Sequence, residues 1–157
     1  MQRLDLIENP AEAECVAPTV IVESFPVSTS GFGLGSEPGS FKTPLGRFRV
    51  GEMIGHGAES GAIFKGRVPT GEIGPDENPG EPADFVQTRI LWLEGLEPHN
   101  ANTRERYIYI HGTNHGEQIG EPSSHGCVRM RNADVIRLFD LVNVGTEVVI
   151  EIGQPAG

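Results

Sequence analysis

Short runs of alternating apolar and polar residues, separated by segments rich in glycine and proline, fill most of this 157-residue chain. A period of two places one face of a β-strand against a core. We predict strands at residues 3–7, 19–28, 47–54, 62–68, 85–96, 107–111 and 146–152. The run 85–96 is the most apolar, so we predict that it lies centrally. Pro26 lacks a backbone N–H, so its part of strand 19–28 is predicted at an edge or a bulge.

One segment near the C-terminus has a helical period instead. The spacing i, i+3, i+4, i+7 of an amphipathic helix is followed by Val135, Leu138, Phe139 and Val142. Asn132 is predicted as the helix N-cap, and Gly145 as the stop signal. The pattern predicts a mostly β fold, a sandwich or half-open barrel, with one clear amphipathic helix near the C-terminus. The length suits one domain, residues 1–157.

Two connecting segments are rich in turn formers. Residues 30–40 hold four glycines and are predicted to be a flexible surface connector, because no strand-to-helix switch or phosphate-binding motif follows. Residues 69–82 hold four prolines and four acids and are predicted to be a long surface loop, a candidate rim over a site.

The charge balance excludes some classes of partner. The chain has 12 Lys and Arg against 22 Asp and Glu, a net charge of −10. This argues against nucleic acid and anionic membrane surfaces, both of which bind basic faces. No apolar run reaches the roughly 18 to 20 residues of a membrane span. No secretory signal opens the chain, so we expect a cytoplasmic protein if Met1 is the native start, and a periplasmic or cell-envelope protein if the sequence is a shortened form.

The chain has two cysteines, Cys15 and Cys127. Two cysteines do not make a disulfide framework, and a bond between them would block Cys127. Cys15 has no histidine beside it and is interpreted as an ordinary thiol in a loop or at a strand edge.

Residues 107–131 concentrate the groups that thiol acyl chemistry needs. The period of two places Tyr109 and His111 on one face of the predicted strand. Gly112 lets the backbone turn, so its carbonyl can orient His111 through Nδ1 and leave Nε2 facing a thiol. We favour His111 as the base over His115, which is expected to be exposed, and over His125, which is expected to orient the loop or contact substrate.

Cys127 is the candidate nucleophile. It follows Gly126, which allows a positive φ, and the backbone N–H groups of His125, Gly126 and Cys127 form a candidate oxyanion hole. A neighbouring imidazolium is expected to lower the thiol pKa. Arg129 is suited to hold a substrate carboxylate, or else to pair with an acidic side chain.

Two other classes of function compete with this reading. His111, His115, His125 and Cys127 have the softness of zinc ligands, but the paired spacings of zinc motifs are missing. A β-module that binds its ligand without catalysis is the other alternative.

The segments His111-Gly112-Thr113 and Ser124-His125-Gly126-Cys127-Val128-Arg129 together resemble the signature of the L,D-transpeptidase catalytic domain, the YkuD or ErfK/YbiS/YcfS/YnhG family. Residues 43–48 and the ordering of residues 132–148 also resemble that family. The resemblance implies a β-sandwich enzyme without a cofactor, with Cys127 as nucleophile and His111 as its base. It also implies substrate contacts around the motif, for which the candidates are Ser124, His125, Arg129 and Tyr109.

The resemblance implies acyl transfer on peptidoglycan stem tetrapeptides. The Cys127 thiolate would attack the carbonyl before the terminal D-Ala, and the thioester would pass to an amine, as in L,D-transpeptidation. Carbapenem-type inhibitors are expected to acylate the same thiol. A chain without a signal would meet soluble peptides and water, which favours the alternative of an L,D-carboxypeptidase in murein recycling.

Overall fold

The computed structural model describes residues 2–7 and 21–152. These ranges contain one α-helix, α1 (Asn132–Leu141), and two short 3-10 helices at Pro98–Asn100 and Gly116–Gln118. The strands are β1 (Arg3–Ile7), β2 (Ile21–Ser28), β3 (Gly46–Ile54), β4 (Ala62–Lys65), β5 (Val68–Ile73), β6 (Val86–Gly95), β7 (Tyr109–Gly112), β8 (Val128–Met130) and β9 (Glu147–Ile150). The predicted mostly β fold with one helix near the C-terminus is confirmed. Cys15 lies outside the described residues, and no helix within them is long and apolar enough to cross a membrane.

The strands join into one curled sheet in the order β1-β2-β8-β7-β6-β3-β9, and the β4–β5 hairpin attaches to β6. Strands β7 and β8 run parallel, whereas the other paired strands run antiparallel. Strand β6 pairs with β7 on one side and with β3 and β4 on the other, and residues 87–93 are all buried. The predicted central position of this apolar run is therefore confirmed.

Apolar side chains cover both faces of β6. Leu91 and Leu93 belong to the larger core, which also holds the helical stripe of Val135, Leu138, Phe139 and Val142. Ile90 and Trp92 alternate with them and belong to a smaller cluster with Tyr109 and Phe64. The predicted buried stripe is confirmed, and the helix supports the sheet from the face opposite the smaller cluster.

Pro26 marks a change of pairing partner within β2. The ladder to β1 includes Pro26, whereas the ladder to β8 begins at Val27. Strand β2 therefore lies inside the sheet rather than at its edge, and the missing N–H of Pro26 falls where β8 is not yet paired.

The predicted strand 62–68 and the predicted loop 69–82 are both wrong at their boundary. Gly66 and Arg67 have φ values of 56° and 66° and form a two-residue turn between β4 and β5. Two consecutive positive φ values match the twist of a tight hairpin. Strand β5 pairs only with β4, so Pro69 is tolerated in an edge strand.

The predicted N-cap is also wrong by one residue, because the helix is capped by Arg131. Asn132 is buried, and its Oδ1 accepts a hydrogen bond from Thr88 Oγ1 at 2.7 Å. Its Nδ2 donates to Asp76 Oδ1 at 2.8 Å and to the Thr113 carbonyl at 3.1 Å. The amide therefore ties the start of the helix to β6 and to the segment after β7.

Candidate active site

The parallel pairing of β7 with β8 places the two predicted catalytic residues on one face. The register sets Ile110 beside Val128 and His111 beside Arg129. Cys127 therefore lies beside Tyr109, whose N–H donates to its sulfur at 3.3 Å. A strand spacing of about 4.8 Å and two residues of rise put the Cα atoms of His111 and Cys127 roughly 8 Å apart. The side chains of His111 and Cys127 therefore project from the same face of the sheet.

The sulfur of Cys127 is held by two backbone groups of neighbouring residues. Besides accepting from Tyr109, it donates to the Tyr107 carbonyl at 3.4 Å. The residue is partly accessible and packs against the smaller apolar cluster. Burial of the thiol raises its pKa to about 11, and the hydrogen bond from the Tyr109 N–H opposes that shift.

His111 is 2% exposed and is fixed by the residue that follows it. Its Nδ1 lies 2.5 Å from the Gly112 carbonyl. Because a carbonyl only accepts, Nδ1 carries the proton and Nε2 keeps its lone pair. Burial lowers the pKa of His111, with the charge of Asp84 acting in the opposite direction. The expected imidazolium that lowers the thiol pKa is therefore not found: both partners rest in their neutral forms at pH 7.

Hydrogen bonds within the turn before Cys127 fix its shape. Ser124 Oγ donates to the Cys127 carbonyl at 2.7 Å and accepts from the Gly126 N–H at 3.3 Å. Gly126 has a φ of 121°, in the left-handed region that favours glycine. Ser124 is 1% exposed, so its hydroxyl serves the turn here, and its role in substrate binding stays a prediction. The Gly126 N–H is already engaged, so an oxyanion would have to compete for it with Ser124.

The glycine-rich connector 30–40 and the residues after it clamp this turn from outside. Thr43 Oγ1 donates to the Gly126 carbonyl at 2.9 Å and accepts from the Ser30 N–H at 2.9 Å. The Gly31 N–H donates to the Ser124 carbonyl at 3.0 Å. The connector is therefore part of the framework of the site rather than a free surface segment.

The other two histidines of the region do not face the sulfur as bases. His125 is exposed and packs beside Phe32 and Phe41, with ring centroids 5.7 and 5.9 Å away. The expectation that His115 is exposed is wrong: it is 5% exposed, with Nδ1 3.1 Å from Glu117 Oε2 and Nε2 3.0 Å from the Ala83 carbonyl. Within the ranges that the structure describes, no three His, Cys, Asp or Glu side chains converge as a metal site requires.

Arg129 follows the second of its two predicted alternatives. It is 1% exposed, and its Nη1 lies 3.2 Å from Asp84 Oδ1. Its Nη2 donates to Gln118 Oε1 at 2.9 Å. The pairing with an acidic side chain is observed, and the guanidinium is enclosed. Sequence reasoning missed Asp84, because nothing in its local pattern marks it.

A second arginine, in contact with Tyr109, was also missed. Arg67 Nη1 donates to the Tyr109 hydroxyl at 3.0 Å, and its guanidinium lies 4.5 Å from the Trp92 ring centroid. The tight turn of the β4–β5 hairpin carries it there. Because the sequence predicted a continuous strand at that point, no signal placed Arg67 beside Tyr109.

Comparisons with known proteins agree with the signature at this site. The family model for the YkuD L,D-transpeptidase catalytic domain matches residues 9–150. The YkuD protein of Bacillus subtilis is 39% identical over 87 residues, which are 54% of this chain and 45% of that protein. YbiS of Escherichia coli K12 is 56% identical over 43 residues, 27% of this chain and 14% of that protein. The chain thus spans less than half the length of these relatives.

Two solved structures align with most of the chain at TM-scores just below 0.5. L,D-transpeptidase 3 from Mycobacterium tuberculosis, in complex with a faropenem-derived adduct, gives a TM-score of 0.49 at 18% identity, covering 82% of this chain and 45% of that chain. Bdellovibrio bacteriovorus Bd1075 gives 0.49 at 16% identity, covering 95% and 43%. Because the family model spans nearly the whole sequence, the chain belongs to the YkuD family of L,D-transpeptidase catalytic domains.

Proposed function

We propose that this protein is a cysteine acyltransferase that acts on peptidoglycan stem tetrapeptides. Cys127 attacks the carbonyl of the third residue, D-Ala leaves, and the thioester passes its acyl group to an amine. Membership of the family supports the general class. The observation that carries the proposal is the sulfur held between Tyr107 and Tyr109, on the face where His111 keeps Nε2 unprotonated.

The resting state determines how the proton moves. The pKa of the Cys127 thiol is about 11 and that of His111 is lowered, so the thiolate forms only as the sulfur attacks. His111 Nε2 accepts the thiol proton and then gives it to the amine of the leaving D-Ala. The backbone N–H groups of His125 and Cys127 receive the negative charge on the carbonyl oxygen, an interaction typically worth roughly 3 to 4 kcal/mol per donor.

The second step separates two versions of the function. Transfer to an amine gives a cross-link or an exchanged D-amino acid, whereas transfer to water makes the protein an L,D-carboxypeptidase. A cross-linking role would fit the cell envelope, and a hydrolytic role in murein recycling would fit the cytoplasm. We propose the amine as acceptor, with water as the alternative.

Mass spectrometry of the protein mixed with a stem tetrapeptide tests both steps. A Cys15→Ser background leaves Cys127 as the single thiol, so a thioester adduct maps to one residue. We expect loss of D-Ala together with a dimer or an exchanged product. Detection of the tripeptide alone would show that water, and not an amine, is the acceptor. An unchanged tetrapeptide would refute the proposed enzymatic activity.

Two variants show whether the chemistry runs through the named side chains. Cys127→Ala should abolish turnover while the protein stays folded, and His111→Ala should slow acylation steeply because no other imidazole faces the sulfur. A carbapenem should acylate Cys127 in the Cys15→Ser protein, since its strained carbonyl needs the same nucleophile. Failure of a carbapenem and of the tetrapeptide to modify Cys127 would favour a protein that binds the wall without catalysis.

A further inference from the structure

An anionic substrate poses an electrostatic problem for this chain. A stem tetrapeptide ends in the carboxylate of its terminal D-Ala, and the protein itself has a net charge of −10. At long range the protein therefore repels the substrate carboxylate. Selective binding needs a cation placed beside the thiol, most effectively a guanidinium that offers two parallel N–H donors.

Three other arginines of this region are already engaged by the protein. Arg129 is buried against Asp84. Arg104 lies 3.1 Å from Glu52 and 3.2 Å from Glu94, so its charge is neutralised twice. Arg106 uses its guanidinium on the backbone carbonyls of residues 35 and 42. The N–H donors that these three arginines would offer a ligand are therefore already engaged.

Arg67 uses fewer of its N–H donors than these arginines, although Arg104 lies over the same Trp92 ring at 4.0 Å. Within residues 2–7 and 21–152 the one hydrogen bond of Arg67 is to the Tyr109 hydroxyl, and it forms no ion pair with a carboxylate there, although that hydrogen bond and the charge of Glu52 both act to raise its pKa. Its guanidinium lies over the Trp92 ring at 4.5 Å and near the Tyr107 ring at 5.4 Å. Stacking on aromatic faces holds the cation in place without consuming its charge.

The residues that hold Arg67 also hold the sulfur. Tyr109 contacts Arg67 through its hydroxyl and Cys127 through its backbone N–H. The ring of Tyr107 lies beside the Arg67 guanidinium, and its backbone carbonyl accepts a hydrogen bond from the Cys127 thiol. Arg67 is therefore one tyrosine side chain away from the nucleophile, and it is only partly buried. A peptide whose scissile carbonyl meets the sulfur would extend a carboxylate along Tyr109 to reach the guanidinium.

We propose that Arg67, at the tip of the β4–β5 hairpin, binds a carboxylate of the stem peptide and so determines specificity for it. The inference rests on the proposed function and adds a residue that lies outside the motif. Two carboxylates have the required chemistry: that of the terminal D-Ala, and that on the side chain of the third residue where its diamino acid carries one. Bound to Arg67, either would hold the peptide beside the exposed ring of Tyr107.

Equilibrium binding to a Cys127→Ala protein tests this without requiring turnover. We expect Arg67→Ala to weaken binding of the tetrapeptide roughly 10- to 100-fold, the range for a lost charge-assisted hydrogen-bond pair. Arg67→Lys should recover part of the loss. Peptides amidated at one carboxylate or the other identify the group that Arg67 binds. Amidation of that group should weaken binding by the same factor as Arg67→Ala, and it should not weaken binding further in the Arg67→Ala variant.

A matched control and two outcomes complete the experiment. Arg47→Ala removes an exposed arginine that pairs with Glu147 on the β3–β9 ladder, and it should leave binding unchanged. An Arg67→Ala loss that persists with the doubly amidated peptide would mean that Arg67 only supports the hairpin and would overturn the inference. If the wild type turns over and Arg67→Ala has the same KM, the inference fails while the proposed function stands. Arg67-dependent binding without any turnover would defeat the proposed function alone.

Discussion

The neutral state of the Cys127–His111 pair makes a sharp prediction for thiol reactivity. A cysteine held as an ion pair with an imidazolium reacts at a rate that is flat through neutral pH, because the thiolate is already formed. Here burial raises the pKa of Cys127 and lowers that of His111, so the thiolate is scarce in the free protein. Alkylation of Cys127 should therefore rise steadily with pH.

The magnitude follows from the pKa of the Cys127 thiol compared with that of an unperturbed thiol. With a pKa of about 11, the thiolate fraction at pH 7 is about one in ten thousand, whereas an unperturbed thiol near 9.0 would have about one in a hundred. We expect alkylation by iodoacetamide to be about a hundredfold slower than for an exposed thiol at pH 7. The rate should increase about tenfold per pH unit between pH 7 and 10.

The assay is the pH dependence of carbamidomethylation at Cys127, followed by mass spectrometry in the Cys15→Ser protein, with a small cysteine peptide as the reference thiol. Circular dichroism at each pH shows that the protein stays folded. A rate that is constant between pH 6 and 8, and that falls in His111→Ala, would reveal an imidazolium-stabilised thiolate. That result would refute the neutral resting pair and the proton movement proposed above.

Three further predictions concern stability and the shape of the catalytic turn. The unfolded chain binds a proton at His111 near pH 6.5 that the folded chain excludes. The free energy of unfolding should thus keep the full contribution of the neutral ring above that pH and fall by up to about 1.4 kcal/mol per pH unit below it. Urea denaturation should show that the free energy of unfolding depends less on pH in His111→Gln. An equal dependence in the two proteins would contradict the buried neutral ring. Asn132→Ala should cost about 2 to 3 kcal/mol because it leaves buried polar partners unsatisfied, whereas Asn143→Ala, at an exposed turn, should change stability by less than about 0.5 kcal/mol in the same titrations. Gly126→Ala should lose most acylation activity because a φ of 121° is strained for any residue with a side chain, and the strain falls directly before the nucleophile. Gly80→Ala, with a φ of 88° in an exposed turn far from the motif in sequence, should keep full activity; equal activities would show that the catalytic turn tolerates distortion.

The local patterns of the sequence predicted most of the elements. Alternation located the strands, and the spacing of Val135 to Val142 located the helix, because both patterns record which side of one element faces the core. The same period of two placed Tyr109 and His111 on a common face. The signature around Cys127 then indicated that the two segments meet, and their parallel pairing in the structure shows how they do.

The features that the sequence could not predict depend on partners far away in the chain. Asn132 has the composition of an N-cap, but its amide bonds to Thr88, 44 positions earlier. His115 lies in a polar segment, yet Ala83 and Glu117 enclose it. The turn at Arg67 was missed because arginine is not a residue that usually adopts a positive φ. For Asn132 and His115 a tertiary contact overrides a local preference, whereas at Arg67 the tight hairpin turn does so.

The clamp of Ser30 and Thr43 on the turn before Cys127 has a consequence for the order of folding. The hydrogen bond from Thr43 to Gly126 joins residues 83 positions apart, and Ser30 pairs with Ser124 across a similar separation. Contacts between distant positions form late, because a long loop must close before they provide any stabilisation. A refolding chain should therefore regain its helix and hairpins before its competence for acylation, which appears only when the first third of the polypeptide settles onto the last.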